Sequence, residues 1–324
     1  MLGYTSRKQI FNALIPLRFI SRNMSLSKPN LFLIGSPKCA TTSLSHYLSQ
    51  HPEICFSYPK EPNFFNTDFD PRHRRFFALD EYLATCFRDC EPAARYWAEG
   101  TVYYLYSDTA VDGILANFED PRFIVLVRNP IDLCASMHLT LVRFGQEDCV
   151  TFAEAWRAYP KRKKGQAIPK NCRDPRLLFY PEIAAQGQLL ERLLTKVPRE
   201  KVFVSSFERV TKNPQAVLNE LYGFLDLEAI QHADFAHLNK SQGVKSRQFG
   251  YLLGELGRNN TLYRLKRKMG FKPGKSLIGF LQKFNVRQVE KEALAADLQA
   301  ELSAFFAEDT QVLKDLLGPD LVNW

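Results

Sequence analysis

The chain is short of several things, and each shortage excludes something. No stretch approaches the roughly 18 consecutive apolar residues of a membrane-spanning helix, so the sequence predicts no such span. No two cysteines stand as C-x-x-C, and the nearest pair, Cys86 and Cys90, has no second pair or histidine cluster beside it. That pattern argues against a zinc site or a disulfide framework. An odd count of seven cysteines fits a reducing compartment and a cytoplasmic protein. There is no internal repeat and no low-complexity tract. Acidic residues are outnumbered, 35 against 43 Lys and Arg, for a net charge of +8. The excess suits an anionic ligand, but it equally suits nucleic acid or a membrane surface, so charge alone decides little. The first 30 residues hold no acid at all. Their apolar residues, Ile10, Phe11, Leu14 and Ile15, are broken by Asn12 and Pro16, which makes a poor signal-peptide core. Residues 1–29 are therefore expected to form a basic, loosely ordered leader that could touch a membrane surface, with Met24 as an alternative start.

The most informative absence is that of a Walker loop. Residues 31–48, LFLIGSPKCATTSLSHYL, read as a buried parallel strand from Leu31 to Ile34 and a break at Gly35-Ser36-Pro37. A helix follows, capped by Thr41 and Thr42, with apolar positions at Leu44, Tyr47 and Leu48. Lys38 lies in the turn. A helix N-terminus offers unpaired N–H groups and the positive end of a dipole, so lysine and hydroxyls there suit phosphate. An ordinary βα turn is the plain alternative. The pattern G-x-x-x-x-G-K-[ST] is missing, so this is not the phosphate grip of ATP-dependent enzymes.

A second strand, Phe123 to Val127, ends in Arg128. Pro130 suits the first turn of the next helix, which runs through Leu133, Met137 and Leu141 and carries Ser136 nearly two turns in. P-loop NTPases hold magnesium with an Asp at the end of a similar strand. Here a guanidinium stands instead, suited to bidentate recognition of phosphate. The sequence thus proposes two phosphate sites, Lys38 and Arg128, and no metal; a surface ion pair is the alternative for Arg128.

Elsewhere, a short strand from Ile54 to Ser57 leads into KEPNFFN. Pro59 and Pro62 bracket Lys60 and Glu61 there, and hold them on a rigid loop at a strand's end, where open α/β sheets place ligands. Helical periodicity surrounds Tyr82, Leu83 and Phe87, and Tyr96 to Ala98 reads as a strand. Tyr103, Tyr104 and Tyr106 are either core packing or an aromatic wall for an acceptor. Residues 157–176 are basic and broken by prolines, as in a solvated face, with contact to an anionic acceptor as the alternative. A long amphipathic helix is predicted from Leu177, a strand from Lys201 and a helix opening at Asn213. This βα alternation predicts a doubly wound parallel sheet over residues 31–225. Beyond residue 240 the chain is polar and basic, as a flap over a nucleotide, an ordinary surface or a nucleic-acid patch would each be. From Ala293 it suggests a helix pair split near Asp309.

These motifs resemble one family. Ser36-Pro37-Lys38-Cys39-Ala40-Thr41-Thr42-Ser43-Leu44 looks like the 5′-phosphosulfate loop of sulfotransferases that use 3′-phosphoadenosine-5′-phosphosulfate (PAPS). Arg128-Asn129-Pro130 through Ser136 is similar to their 3′-phosphate site. KEPNFF is similar to the segment with the catalytic glutamate in heparan-sulfate-type and bacterial carbohydrate sulfotransferases. The pattern from Leu298 through Phe305, Leu313 and Leu316-Leu317-Gly318 to Trp324 resembles the same branch. The resemblance implies a P-loop-NTPase-like three-layer α/β fold, with a central parallel sheet between helices and a basic C-terminal flap and helices. It implies a single domain over residues 30–324. PAPS is the implied co-substrate, without metal, and the acceptor a hydroxyl or amine of a carbohydrate or glycolipid; no nucleic-acid partner is expected.

Carried over by residue, Ser36, Lys38, Cys39, Ala40, Thr41, Thr42 and Ser43 would hold the 5′-phosphosulfate. Lys38 would also stabilise charge on the bridging oxygen. Arg128 and Ser136 would bind the 3′-phosphate, with Gly243, Lys245 and Arg247 reaching back from the flap. Glu61 would take the acceptor's proton. Two departures stand out. Ala40 replaces a usual glycine, tolerable if its φ stays negative. Gly100, just before Thr101, stands where heparan-type enzymes often carry lysine. No histidine base of the phenol-sulfating branch is evident, and His138 reads as structural. The competing readings are an ATP-dependent small-molecule kinase, which the missing Walker pattern opposes, and a non-enzymatic nucleotide- or nucleic-acid-binding protein.

Overall fold

Continuous apolar runs form strands buried on both faces, and here they assemble one parallel sheet. The structure, a computed structural model, describes residues 28–231, 235, 242–244, 286–288 and 294–324. Strand β1 (Leu31–Gly35) leads through a turn to α1 (Thr41–Leu48). Then come β2 (Ile54–Phe56), α2 (Leu79–Cys86), β3 (Tyr96–Gly100) and α3 (Ala110–Asn117). Next are β4 (Arg122–Val127), α4 (Pro130–Arg143), α5 (Phe152–Arg157) and α6 (Tyr159–Lys163). They are followed by α7 (Tyr180–Ala184), α8 (Gln186–Leu194), β5 (Val202–Ser206), α9 (Phe207–Lys212) and α10 (Pro214–Phe224). The last described elements are β6 (Gln242–Val244), β7 (Val286–Gln288) and α11 (Ala296–Leu317).

The sheet order is β2-β3-β1-β4-β5, every neighbour parallel. Its centre is apolar and dry: Leu31 to Ile34 and Phe123 to Val127 are fully buried. Each such side chain contributes about 1.5–3 kcal/mol relative to exposure. β1 lies between β3 and β4, so the chain leaves it toward opposite edges of the sheet. Open sheets of this kind bind ligands at the carboxyl ends of the strands where the order reverses. Lys38 follows β1, Arg128 follows β4 and Glu61 follows β2, so all three arrive at that one rim. β6 and β7 pair antiparallel in a separate ribbon, and β6 packs against α4. No described helix is long and apolar enough to cross a membrane.

Several elements differ from the sequence expectation. The amphipathic run from Leu177 is not one helix. It breaks at Ala185 (φ −75°, ψ 62°) between α7 and α8. The expected helix pair at the end is a single helix, α11, with Asp309 buried in its middle. Asp309 serves α8 rather than interrupting α11. Its carboxylate accepts from the Gly187 N–H (3.0 Å) and the Gln188 N–H (2.9 Å). Those amides lie in the first turn of a helix that has no side-chain cap of its own. A Cβ on Gly187 would stand 2.3 Å from the Asp309 carbonyl oxygen, so this contact requires glycine.

The basic stretch 157–176 is only partly a solvated face. Arg162 is fully buried and donates through Nη1 (2.8 Å) and Nη2 (2.7 Å) to the two oxygens of buried Glu147. Glu147 also accepts from the Tyr180 hydroxyl (2.8 Å) and the Asp148 and Cys149 amides, so its carboxylate is fully committed. The cysteines are not all reduced: Cys55 on β2 is joined to Cys90 by a disulfide, with Cα atoms 5.5 Å apart. The other five are free thiols.

Candidate active site

The turn after β1 is built for close approach. A Cβ on Gly35 would come within 2.8 Å of Leu105 Cβ, so the chain passes tightly beneath the loop after β3. Lys38 (φ 65°) and Ala40 (φ 63°) then both take left-handed backbone. Such a conformation costs a non-glycine residue about 1–2 kcal/mol, and the expectation of a negative φ at Ala40 is not met. Ala40, not a threonine, is the N-cap of α1, and no side chain caps that helix. The expected caps Thr41 and Thr42 point elsewhere, Thr41 buried and Thr42 exposed. No acid lies in the first turn. The positive end of α1 therefore faces the rim without an internal anion, the condition for binding one.

Ser36 is buried with its hydroxyl unpartnered, a donor that a ligand oxygen could accept from. Cys39 is fully buried and burial pushes its thiol well above the ordinary range; Sγ donates to the Pro37 carbonyl (3.4 Å). Only its backbone is available to a ligand. Ser43 is buried one residue beyond Thr42.

Arg128 locks this turn to β4. Its Nη1 donates to the Lys38 carbonyl (2.8 Å), and the guanidinium lies 4.0 Å from the centre of the Phe207 ring. Its backbone is held from both sides by Gln186, which accepts from the Arg128 N–H (3.0 Å) and donates to the Arg128 carbonyl (2.6 Å). Burial, then the charges of Arg128 and Arg143, hold the Lys38 ammonium below the usual lysine range, with Glu61 pulling the other way. Three cations thus crowd one point. An anion placed among them would relieve both the repulsion and the lost hydration.

Ser136 lies half-buried on α4. That helix is started by Asn129, whose side chain accepts from the Ile131 (3.0 Å) and Asp132 (3.3 Å) amides. Gly243 lies in β6, beside the same helix, while Lys245 and Arg247 fall outside the described residues. His138 on α4 bonds the Cys149 carbonyl (3.2 Å) through Nε2, as a structural histidine does.

Glu61 stands on the loop predicted from its flanking prolines, with φ 58°. The Glu61 N–H donates to the Gly100 carbonyl (3.1 Å), and Asn63 Nδ2 donates to the Glu61 carbonyl (2.9 Å). Phe64 and Phe65 anchor the loop: their amides both donate to the buried Tyr104 hydroxyl (2.9 and 3.2 Å). Tyr104 is therefore a core residue, whereas Tyr103 is only half-buried. Lys60 Nζ sits 3.0 Å from the Glu61 carboxylate. A Cβ on Gly100 would lie 3.1 Å from the Phe56 ring and 3.4 Å from Lys60 Cε. The stem of Lys60 thus runs through the space beside Gly100.

Four residues of the site carry no strong sequence signal. Arg143 reads as an ordinary cation at a helix end, Gln186 as one polar residue of a helix and Phe207 as core. Glu99 is fully buried at the end of β3, accepting from the Thr101 (2.6 Å) and Tyr82 (3.2 Å) hydroxyls, and burial pushes its carboxyl up to about 7. Glu99 lies one residue beyond the strand expected from the sequence, Tyr96 to Ala98, and inside the observed β3.

A family model described as "Sulfotransferase domain" matches residues 28–271. The chain belongs to that family. Its parallel sheet, in the order β2-β3-β1-β4-β5, agrees with that membership. The chain is 21% identical over 319 residues to the membrane-associated sulfotransferase kil1 of Dictyostelium discoideum, covering 74% of this chain and 65% of that protein. It is 23% identical over 202 residues to the bifunctional heparan sulfate N-deacetylase/N-sulfotransferase 1 of Mus musculus, covering 61% of this chain and 22% of that one. The sulfotransferase thus spans under two thirds of the length of either relative. A sulfotransferase structure from Alicyclobacillus acidocaldarius shares the fold, with a TM-score of 0.65, 22% identity and coverage of 90% of this chain and 96% of that one.

Proposed function

We propose that residues 30–324, as a single domain, transfer a sulfuryl group from PAPS to a hydroxyl or amine of a carbohydrate or glycolipid. The observation that carries the donor is the joint rim: Arg128 bonded to the Lys38 carbonyl, an uncapped α1 beside it and Glu61 within electrostatic reach of Lys38. The cationic excess and the unpartnered Ser36 hydroxyl fit a nucleotide carrying phosphates at both ends of its ribose. PAPS would supply the sulfuryl group on an anhydride to phosphate. The backbone of residues 36–43, with Thr41, Thr42 and Ser43, would hold its 5′ end, and Arg128 and Ser136 its 3′-phosphate. Gly243 comes from the ribbon that packs on α4. Lys38 would carry charge at the bridging oxygen, and Glu61 would accept the proton of the acceptor. Positioning and fixed charge are the main catalytic terms in such transfers, and a placed base adds about 10²–10⁴-fold.

The carbohydrate acceptor draws support from the mouse relative, whose name states a heparan sulfate activity. The expected cytoplasmic location is replaced in this reading by an oxidising compartment, because the Cys55–Cys90 disulfide would not persist among cytosolic thiols. The deciding experiment is a thermal shift. Adenosine 3′,5′-bisphosphate without magnesium should stabilise the protein more than ATP with magnesium; the reverse order would favour a kinase. Glu61→Gln should abolish transfer while nucleotide binding survives. Equal loss of both would make Glu61 structural.

A further inference from the structure

Glu99 is a fully buried acid that the proposed chemistry does not use. It stands next to last in β3, and three hydroxyls converge on it. Thr101 Oγ1 donates to Oε1 (2.6 Å) and the Tyr82 hydroxyl to Oε2 (3.2 Å). The Tyr104 hydroxyl lies against both Glu99 and Thr101. Lys60, the neighbour of Glu61, acts on the same carboxylate.

Two of these hydroxyls face the Glu61 loop on their other side. The Tyr104 oxygen accepts from the Phe64 and Phe65 amides (2.9 and 3.2 Å), and Thr101 Oγ1 accepts from the Asn63 amide (3.4 Å). The Gly100 carbonyl accepts from the Glu61 amide (3.1 Å). Pro62 has no N–H, so every amide from Glu61 to Phe65 is bound by residues 100–104. A hydroxyl whose oxygen serves backbone amides still has one proton to place. In this dry site those protons end on the Glu99 carboxylate, and without it they would be left buried and unpaired. The loop needs such ties. Glu61 (φ 58°) and Asn63 (φ 54°) both take left-handed backbone, which persists in non-glycine residues only where the surroundings over-determine it.

We propose that Glu99 is a positioning residue for the proposed base: through the hydroxyls of Thr101 and Tyr104 it holds residues 63–65, and so fixes where Glu61 presents its carboxylate. The inference rests on the sulfotransferase reading and adds to it a buried acid that never meets the acceptor.

Hydrogen exchange on the whole chain tests the tie without donor or acceptor. Glutamine has the size of the protonated carboxyl, which burial favours up to about pH 7. Glu99→Gln therefore keeps the fold but turns one acceptor oxygen into a donor. Exchange over residues 61–66 should speed up at least about fivefold, while β1 and β4 keep their protection. Tyr82→Phe keeps the ring stacked on Phe64 (4.7 Å between centroids) and removes only the hydroxyl that binds no loop amide, so it should leave residues 61–66 as in the wild type. Glu99→Gln/Tyr104→Phe should speed exchange by less than the product of the two single effects. The functional arm follows sulfuryl transfer from PAPS to N-desulfated heparin. Glu99→Gln should lower kcat at least about fivefold with the KM for PAPS unchanged, and Glu99→Asp, which keeps the carboxylate, should recover part of the loss. Unchanged exchange over 61–66, equal loosening of β1 and β4, or a full product in the double variant overturns the inference. So does a glutamine variant with the kcat of the wild type. A wild type that transfers no sulfuryl group removes the base and this role with it, while the exchange arm still reports separately whether Glu99 ties the loop.

Discussion

Breaking the Cys55–Cys90 bond should destabilise the enzyme substantially while leaving the Glu61 loop in place. The bond joins β2 to the turn after α2 across a sequence separation of 35. The segment it closes contains Lys60, Glu61 and the Phe64–Phe65 anchor. In the chain-entropy account, a closed loop of that length removes about 13 cal/mol/K from the unfolded ensemble, about 4 kcal/mol at 25 °C. The loop's other ties do not pass through sulfur: the Gly100 carbonyl holds the Glu61 amide, and the Tyr104 hydroxyl holds the two phenylalanine amides. The loss should therefore show as lower global stability, with the site still formed at low temperature. At about 2 °C per kcal/mol for a chain this size, the melting temperature should fall by roughly 8 °C. Alkylation of the denatured, unreduced protein should label five of the seven cysteines. Scanning fluorimetry with and without reductant should then show the shift, and Cys55→Ala/Cys90→Ala should melt low and ignore reductant. Seven labelled cysteines, or a double variant that melts with the wild type, would refute the reasoning.

Two further perturbations probe buried charge. Glu99 has a folded pKa of about 7, raised from 4.5 by burial. Its favourable contribution is thus complete below about pH 4.5 and is lost as pH rises through 7, a swing of at most about 3 kcal/mol. Urea midpoints at pH 5 and pH 8 should differ more for the wild type than for Glu99→Gln; parallel midpoints would mean that Glu99 is not raised. Arg162→Met leaves Glu147 buried without its cation and should cost about 3–5 kcal/mol, whereas Arg162→Met/Glu147→Leu should recover most of it. Arg162 and its hydrogen bonds hold the Glu147 carboxyl below its usual value despite burial. Its stabilisation is present above about pH 4.5 and lost as pH falls through the lower folded value. A single variant as stable as the wild type at pH 7 would show that the pair is not load-sharing with the core.

The parallel sheet was readable because its strands are short apolar runs, too short for helices and rich in β-branched residues, such as Phe123 to Val127. Lys38 and Arg128 were readable because charge ending such a run must sit at the sheet's rim. Glu61 was readable from the prolines beside it. The parts that escaped depend on partners distant in sequence. Arg162 looked solvated among its basic neighbours because Glu147 lies 15 residues earlier on another element. Cys55 and Cys90 have no motif spacing, since strand and turn bring them together only in the fold. The break at Ala185 has no proline or glycine to announce it. It lets Gln186 turn to Arg128. Asp309 looked like a helix breaker because the amides it serves are 122 residues away.

That last contact has a consequence for the order of assembly. Asp309 fixes the start of α8, and Gln186 in the same turn fixes the Arg128 backbone, 58 residues earlier. The proposed donor pocket is therefore finished by a helix synthesised long after the strands that frame it. A nascent chain could form the sheet and its phosphate turn yet lack a seated arginine until α11 docks. Because domains tend to fold as units once their last element is available, nucleotide binding would arrive late and together with completion of the fold.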